Sequence, residues 1–203
     1  MLRPYVIILL TLVIHSVTFG QNKKKAVVAC FEIPYNLDMG EYSSNNTLYK
    51  MTVLFENNLQ NLGMYELIDR AWLGIGIDED ILDDNGAYSK QYMAKLKDVD
   101  YLITGTLSGF STKKYEDEVK KSQSQSYKVT QEVRISLTIK CIDITTGRIF
   151  FSSTDSAETI SNNEQTYSIF NQLEVDTKLI DSTSEKVVSK LINHISEYSK
   201  KQN

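Results

Sequence analysis

Two histidines, two cysteines and one dense run of acids are the residues of this sequence whose types invite chemistry. They are His15 and His194, Cys30 and Cys141, and Asp78-Glu79-Asp80 with Asp83-Asp84. Ser-His-Asp and Cys-His relays need a positioned imidazole, and a histidine-rich zinc site needs several. The acidic run fails as a calcium loop. After Asp78 and Asp80 the next alternate position is Leu82, and no Glu closes the loop. It reads instead as a solvated helix end. Gly74-Ile75-Gly76 lacks the third glycine of a dinucleotide loop, and neither a Walker loop nor G-x-S-x-G occurs. Asn45-Asn46-Thr47 is a glycosylation sequon by letters only. A Ser-Lys or paired-carboxylate mechanism stays open on paper. The expectation is no catalytic, cofactor-binding or metal-ligating residue, and no cofactor.

One of the two histidines lies in a segment with another purpose. Arg3 begins a short basic region, Tyr5 to Val17 is an apolar run, and Thr18-Phe19-Gly20 ends in small residues before Gln21. That is the pattern of a secretory signal peptide over residues 1–20. The run falls short of the ~20 apolar residues a membrane-crossing helix needs, although Lys23-Lys24-Lys25 beyond it also suits an uncleaved anchor. Cleavage after Gly20 removes Arg3 and no acid, taking the net charge from −4 to −5, and leaves His194 as the one histidine, with a solvent-facing place expected for it. Export permits a disulfide between Cys30 and Cys141. Both sit in strand-like segments, where a free thiol behaves as a small apolar group, and two separate thiols are expected. Val27-Val28-Ala29-Cys30 matches a bacterial lipobox by letters, but three lysines part it from the apolar run that a lipobox follows directly. The stretch makes a better first strand.

The elements that hold these residues follow from hydrophobic period and turn chemistry. Ala26 to Ile33 reads as a buried strand closed by Pro34, and residues 35–46 as a loop. A helix capped by Asn45 or Asn46 carries Leu48, Met51, Leu54, Phe55, Leu59 and Leu62 as a 3.6-residue stripe and ends at Gly63. Tyr65 to Asp69 is a short strand. Helices are expected over Arg70–Leu82 and Tyr88–Val99, and a strand over Tyr101–Phe110. Residues 111–128, with Lys113-Lys114-Tyr115-Glu116-Asp117-Glu118 and Lys120-Lys121-Ser122-Gln123, read as a solvated hairpin extension or a mobile loop. Ile135, Leu137, Ile139 and Cys141 alternate with polar residues, the mark of a half-buried strand. Gly147 supplies the positive φ of the next turn, Ile149 to about Ile160 returns antiparallel, and helices occupy about 164–199, beginning near Ser161–Glu164. The whole is a mixed sheet of parallel strands and an antiparallel hairpin flanked by helices, an α/β fold.

With 203 residues, 41% hydrophobic and 24% charged, and only 2 Pro and 9 Gly, residues 21–203 suit one globular domain and exclude collagen-like and disordered classes. The acidic balance lacks the basic stripe of a nucleic-acid binder.

Four segments in order resemble one family, the curli-secretion lipoprotein CsgG and its relatives. They are Ala26-Val27-Val28-Ala29-Cys30-Phe31-Glu32, the run from Leu59 to Arg70, Val99-Asp100-Tyr101-Leu102-Ile103-Thr104-Gly105-Thr106-Leu107, and Ile142-Asp143-Ile144-Thr145-Thr146-Gly147-Arg148-Ile149. Their glycines and their acid-arginine pair are fold markers: Gly105 for a bulge or close packing, Gly147 for the turn, Asp69-Arg70 for a junction. The resemblance implies a periplasmic or outer-membrane-associated α/β domain that oligomerises or binds envelope and secretion proteins without catalysis. The family's pore member is acylated and inserts two hairpin segments into the membrane. Such strands alternate apolar and polar residues over about ten positions, which neither residues 111–128 nor Thr154-Asp155-Ser156-Ala157-Glu158-Thr159 do. Any membrane association is therefore expected without a pore. The alternative is a soluble periplasmic binding module, such as an activator of a cell-wall synthase.

Overall fold

The structure is a computed structural model, and it describes residues 23–34, 37, 45–73, 94–121, 124–165 and 177–202. The described elements are β1 (Lys25–Val28), α1 (Asn45–Leu62), β2 (Glu66–Leu67), a 3-10 turn (Arg70–Leu73), β3 (Tyr101–Lys121), β4 (Ser124–Asp143), β5 (Ile149–Gln165) and α2 (Thr177–Gln202). One five-stranded sheet has the order β2-β1-β3-β4-β5. β1 is parallel to both its neighbours, with Lys25 opposite Glu66 and Ala26 opposite Tyr101. β3, β4 and β5 form an antiparallel meander. The mixed sheet with flanking helices is the fold class expected from the sequence.

Both helices pack on one face of the sheet. Their stripes of Leu48, Met51, Phe55 and Leu59 and of Val187, Val188, Leu191, Ile192 and Ile195 meet Val28, Phe31, Ile103, Val133, Ile135, Leu137 and Ile139 in one buried cluster. Each such side chain fully removed from water contributes about 1.5–3 kcal/mol. The other face carries a smaller cluster of Val27, Ala29, Leu96, Val99, Leu102 and Ile142. Thr52 is wholly buried on α1; its hydroxyl donates to the Leu48 carbonyl and accepts the Phe31 amide, fastening the chain beyond β1 to the helix. Gly63 ends α1 at φ 64°, and Gly147 turns the β4–β5 connection at φ 68°. Gly105 serves close packing: a Cβ there would overlap the Phe31 ring. The bulge in β3 lies beyond it, between Leu107 and Gly109.

Several boundaries differ from the expectation. β1 is shorter than the segment to Ile33; Glu32 instead makes an isolated bridge to Thr106. β3 does not stop at Phe110, and residues 111–121 pair with 124–134 as a continuous hairpin. β5 runs through Gln165, so the helix start expected at Ser161–Glu164 is strand, held by pairing to Tyr127–Gln131. The ladder outweighs the local capping chemistry of Ser161-Asn162-Asn163-Glu164. Arg70–Leu73 is a single 3-10 turn, and residues 96–98 form a turn where a helix to Val99 was expected. Residues 1–22, most of 35–44, the acidic run, Gly74-Ile75-Gly76, the start of the helix expected at Tyr88, and Tyr167 to Leu173 lie outside the described residues.

Candidate functional site

The four motif segments converge at the base of the sheet. Asp100 is the hub: its carboxylate accepts from Lys24 Nζ at 3.0 Å and from the Lys25 amide at 2.8 Å, and its carbonyl accepts from the Ile144 amide at 2.9 Å. The Lys25 N–H first, then the Lys24 side chain, holds the Asp100 carboxyl below the usual carboxylate range. Asp143 closes the adjoining turn by accepting from the Thr146 amide (2.8 Å) and hydroxyl (3.0 Å), and its carboxyl is lowered by the same bonds. At the other end of the short strands, Asp69 caps the 3-10 turn by accepting from the Ala71 amide at 2.8 Å. Arg70 reaches Glu56 and the Cys30 thiol there. These markers fasten elements together, as expected of fold markers.

Above them the molecule narrows to a ribbon. Past Thr106, β3 has no partner on its β1 side among the described residues, and β5 has none on its outer side. The three strands thus offer two open edges, which are templates for further pairing. The β5 edge is guarded over part of its length by α2. The Ser156 amide donates to Asp155 Oδ1 at 2.7 Å, Lys190 Nζ donates to the Ser156 carbonyl at 2.7 Å, and Lys186 Nζ to the Glu158 carbonyl at 3.5 Å. Both main-chain groups of one residue point the same way in an antiparallel strand, so even-numbered residues here face outward. Ile160 and Asn162 present the next edge groups, and among the described residues no side chain takes them. Ile160 is also an exposed apolar side chain, 54% accessible.

The guarded part of this seam holds the remaining histidine. Ser153 Oγ lies 2.8 Å from His194 Nδ1, and His194 Nε2 lies 3.7 Å from Asp155 Oδ2, with Lys190 Nζ 3.4 Å from Asp155 Oδ1. His194 is thus drawn to β5 while its side chain stays 41% exposed, facing solvent as expected. With the proton on Nε2, the Ser153 hydroxyl donates to Nδ1, and the Ser156 amide, three residues on, donates to Asp155. The arrangement locks α2 to the edge strand. No sequence signal could have found it, since Ser153 is 41 residues from His194.

Cys30 and Cys141 form no disulfide with each other. Cys141 is buried, and burial pushes its thiol up to about 12. Among the described residues no group of three His, Cys, Asp or Glu is placed to hold a metal ion, and no helix is long and apolar enough to cross a membrane. Of the two polar segments, residues 111–121 and 124–128 belong to the ribbon, while most of 35–46 lies outside the described residues.

A family model, that of the curli production assembly/transport component CsgG, matches residues 20–202. The chain belongs to the CsgG family. Membership sets it in a family of non-catalytic envelope proteins. This CsgG-family chain is similar in fold to several solved structures. A PelC dodecamer from Paraburkholderia phytofirmans is 11% identical, with a TM-score of 0.40, over 84% of this chain and 84% of that one. The hypothetical protein CT253 from Chlamydia trachomatis is 10% identical, with a TM-score of 0.45, over 87% and 95%. The LpoB C-terminal domain from Escherichia coli is 13% identical, with a TM-score of 0.40, over 70% and 91%. A search of curated proteins finds no match.

Proposed function

We propose that this CsgG-family protein is exported, with cleavage after Gly20, and acts in the periplasm or at the outer membrane without catalysis. There it assists the assembly or export of surface components through protein–protein contacts, and the ribbon makes those contacts. The observation that carries this reading is the three-stranded ribbon with an open edge on either side, one of them guarded only as far as Glu158. Pairing of one copy's β3 edge with the next copy's β5 edge is head to tail, and such contacts close into rings or run on as filaments.

The same ribbon argues against a lipid-facing barrel. Lys113, Lys128 and Arg134 share one face and Lys114 lies on the other, and each Lys or Arg at a bilayer midplane costs about 2–4 kcal/mol. That polarity also favours the second reading, a soluble periplasmic module that binds one envelope partner such as a cell-wall synthase.

Acylation at Cys30 fits neither, because cleavage before it removes β1 from within the sheet. The test expresses the full chain in its host with a photo-crosslinking residue at Ile160. N-terminal sequencing is expected to begin at Gln21. A crosslink to a second copy or to a secretion component supports the first reading, and one to a peptidoglycan synthase the second. A strictly monomeric protein without crosslinks overturns both.

A further inference from the structure

The geometry points to a second binding site, at the sheet margin opposite the ribbon edge: a pocket between α1 and β2 that takes a lysine side chain of an extended partner segment. The inference goes beyond the ribbon reading and does not rest on it. From β1 the chain passes through α1 to β2 on one side, and from β2 it returns to β3 on the other side of β1. Connections that diverge in this way leave a crevice beyond the carboxyl ends of the parallel strands, where ligands bind in open α/β sheets. A cavity of about 370 Å³ lies beside that crevice, on its β2 side, against α1 and over the carboxyl ends of β1 and β2, within the range of ligand pockets.

Charge selects the occupant. Tyr49, Val53, Glu56 and Gln60 line the cavity from α1, and Asp69 and Arg70 from the strand end. Arg70 is the one cation of the lining among the described residues. Its side chain is 11% exposed and turned inward, with Nε 3.4 Å from Glu56 Oε1 and Nη1 on the Cys30 thiol. The lining therefore holds two carboxylates, Glu56 against Arg70 and Asp69 on the Ala71 amide, and one committed guanidinium. Burial raises the Glu56 carboxyl above its ordinary range, and the charge of Asp69 adds to the rise against the opposing pull of Arg70. An ammonium group supplies the missing positive charge. Gln60 offers it an amide oxygen and Tyr49 an aromatic face, while Val53 suits the methylene stem. The peptide character follows from β2. Among the described residues it pairs only with β1, which leaves its outer edge open for strand addition with alternate side chains aimed at the cavity.

The test titrates the full mature protein with the blocked tripeptide acetyl-Val-Lys-Val-amide, following amide shifts by NMR and the emission of Trp72. Trp72, two residues from Arg70, is 89% exposed. The lysine peptide is expected to shift the amides around Tyr49, Gln60 and Arg70. Replacing its lysine by norleucine should weaken binding at least tenfold, and replacing it by glutamate should abolish binding. Glu56→Gln should weaken the lysine peptide about tenfold, and Asp69→Asn, which keeps an acceptor for the Ala71 amide, should act in the same direction with an unchanged melting temperature. Norleucine binding as well as lysine, glutamate binding better, or a groove that does not respond to the lysine peptide overturns the proposal.

Discussion

Replacing Ile160 by proline tests the open edge without attacking the fold. The groups of Ser156 and Glu158 that meet Asp155, Lys190 and Lys186 set the outward parity of β5. The ladder from Tyr127 to Cys141 has no register shift, so the N–H of Ile160 points away from β4. Proline there removes no bond within the chain, as at other edge positions. The side chain it replaces is already 54% exposed, so the loss of stability should stay near 1 kcal/mol. Ser161→Pro is the control. Its N–H points toward β4, opposite Gln131, which is 5% exposed. Losing that bond orphans a buried carbonyl at about 1–3 kcal/mol, beyond the strain of the ring. Between molecules, Ile160→Pro deletes one edge bond worth about 1 kcal/mol net and places a ring in the path of an added strand. Together these make roughly a tenfold rise in the dissociation constant of an edge contact. Sedimentation velocity reads the association and chemical denaturation the fold. If Ile160→Pro and Ser161→Pro destabilise equally, the assigned parity is wrong. If Ile160→Pro folds and associates as the parent does, the edge is not the contact.

Three further outcomes follow from the interior and the base. Gly105→Ala should destabilise by about 1–3 kcal/mol through overlap with Phe31. In a Phe31→Ala background, itself costing about 3–5 kcal/mol, the same change should be near neutral; additive values in a denaturation cycle would refute the contact. A thiol reagent at neutral pH should label Cys30 and spare Cys141, whose thiol burial pushes up to about 12; mass spectrometry decides, and labelling of Cys141 in the folded protein would contradict its packing. Asp100 has a folded pKa below its unfolded 3.8, so its contribution is present above that value and lost as pH falls through the lower one. Asp100→Asn should therefore lower stability at neutral pH and flatten the acid limb of a stability–pH curve; an unchanged acid limb counts against the Lys25 and Lys24 bonds as its cause.

Regular period made part of this molecule readable. The stripe from Leu48 to Leu59, the alternation from Ile135 to Cys141 and the glycines at 63 and 147 each report a local requirement, and the structure meets each with the expected helix, strand or turn. What escaped were features set by partners distant in sequence. Residues 111–121 lack an apolar period, so their strand is defined by pairing to 124–134 alone. The first turns of α2 contain Thr183 and Ser184, weak helix formers that enter the core because their hydroxyls donate back to Leu179 and Ile180 at 2.7 and 2.8 Å. The His194 seam and the Arg70–Cys30 contact join segments 41 and 40 residues apart. The ribbon was legible as a polar hairpin, but its edges were not, because an edge is a property of the finished sheet.

The position of β1 carries a consequence for how the molecule comes together. This strand of four residues lies between β2 and β3, and the nearest bond tying it to the β3 side bridges 75 residues, from Lys25 to Asp100. The meander of β3, β4 and β5 closes over short loops, whereas β1 must find its slot across a long separation, which slows pairing. The strand is thus a keystone: among the described residues β2 joins the sheet only through it. A molecule missing it would leave the β3 edge from Tyr101 to Ile103 open to someone else's strand.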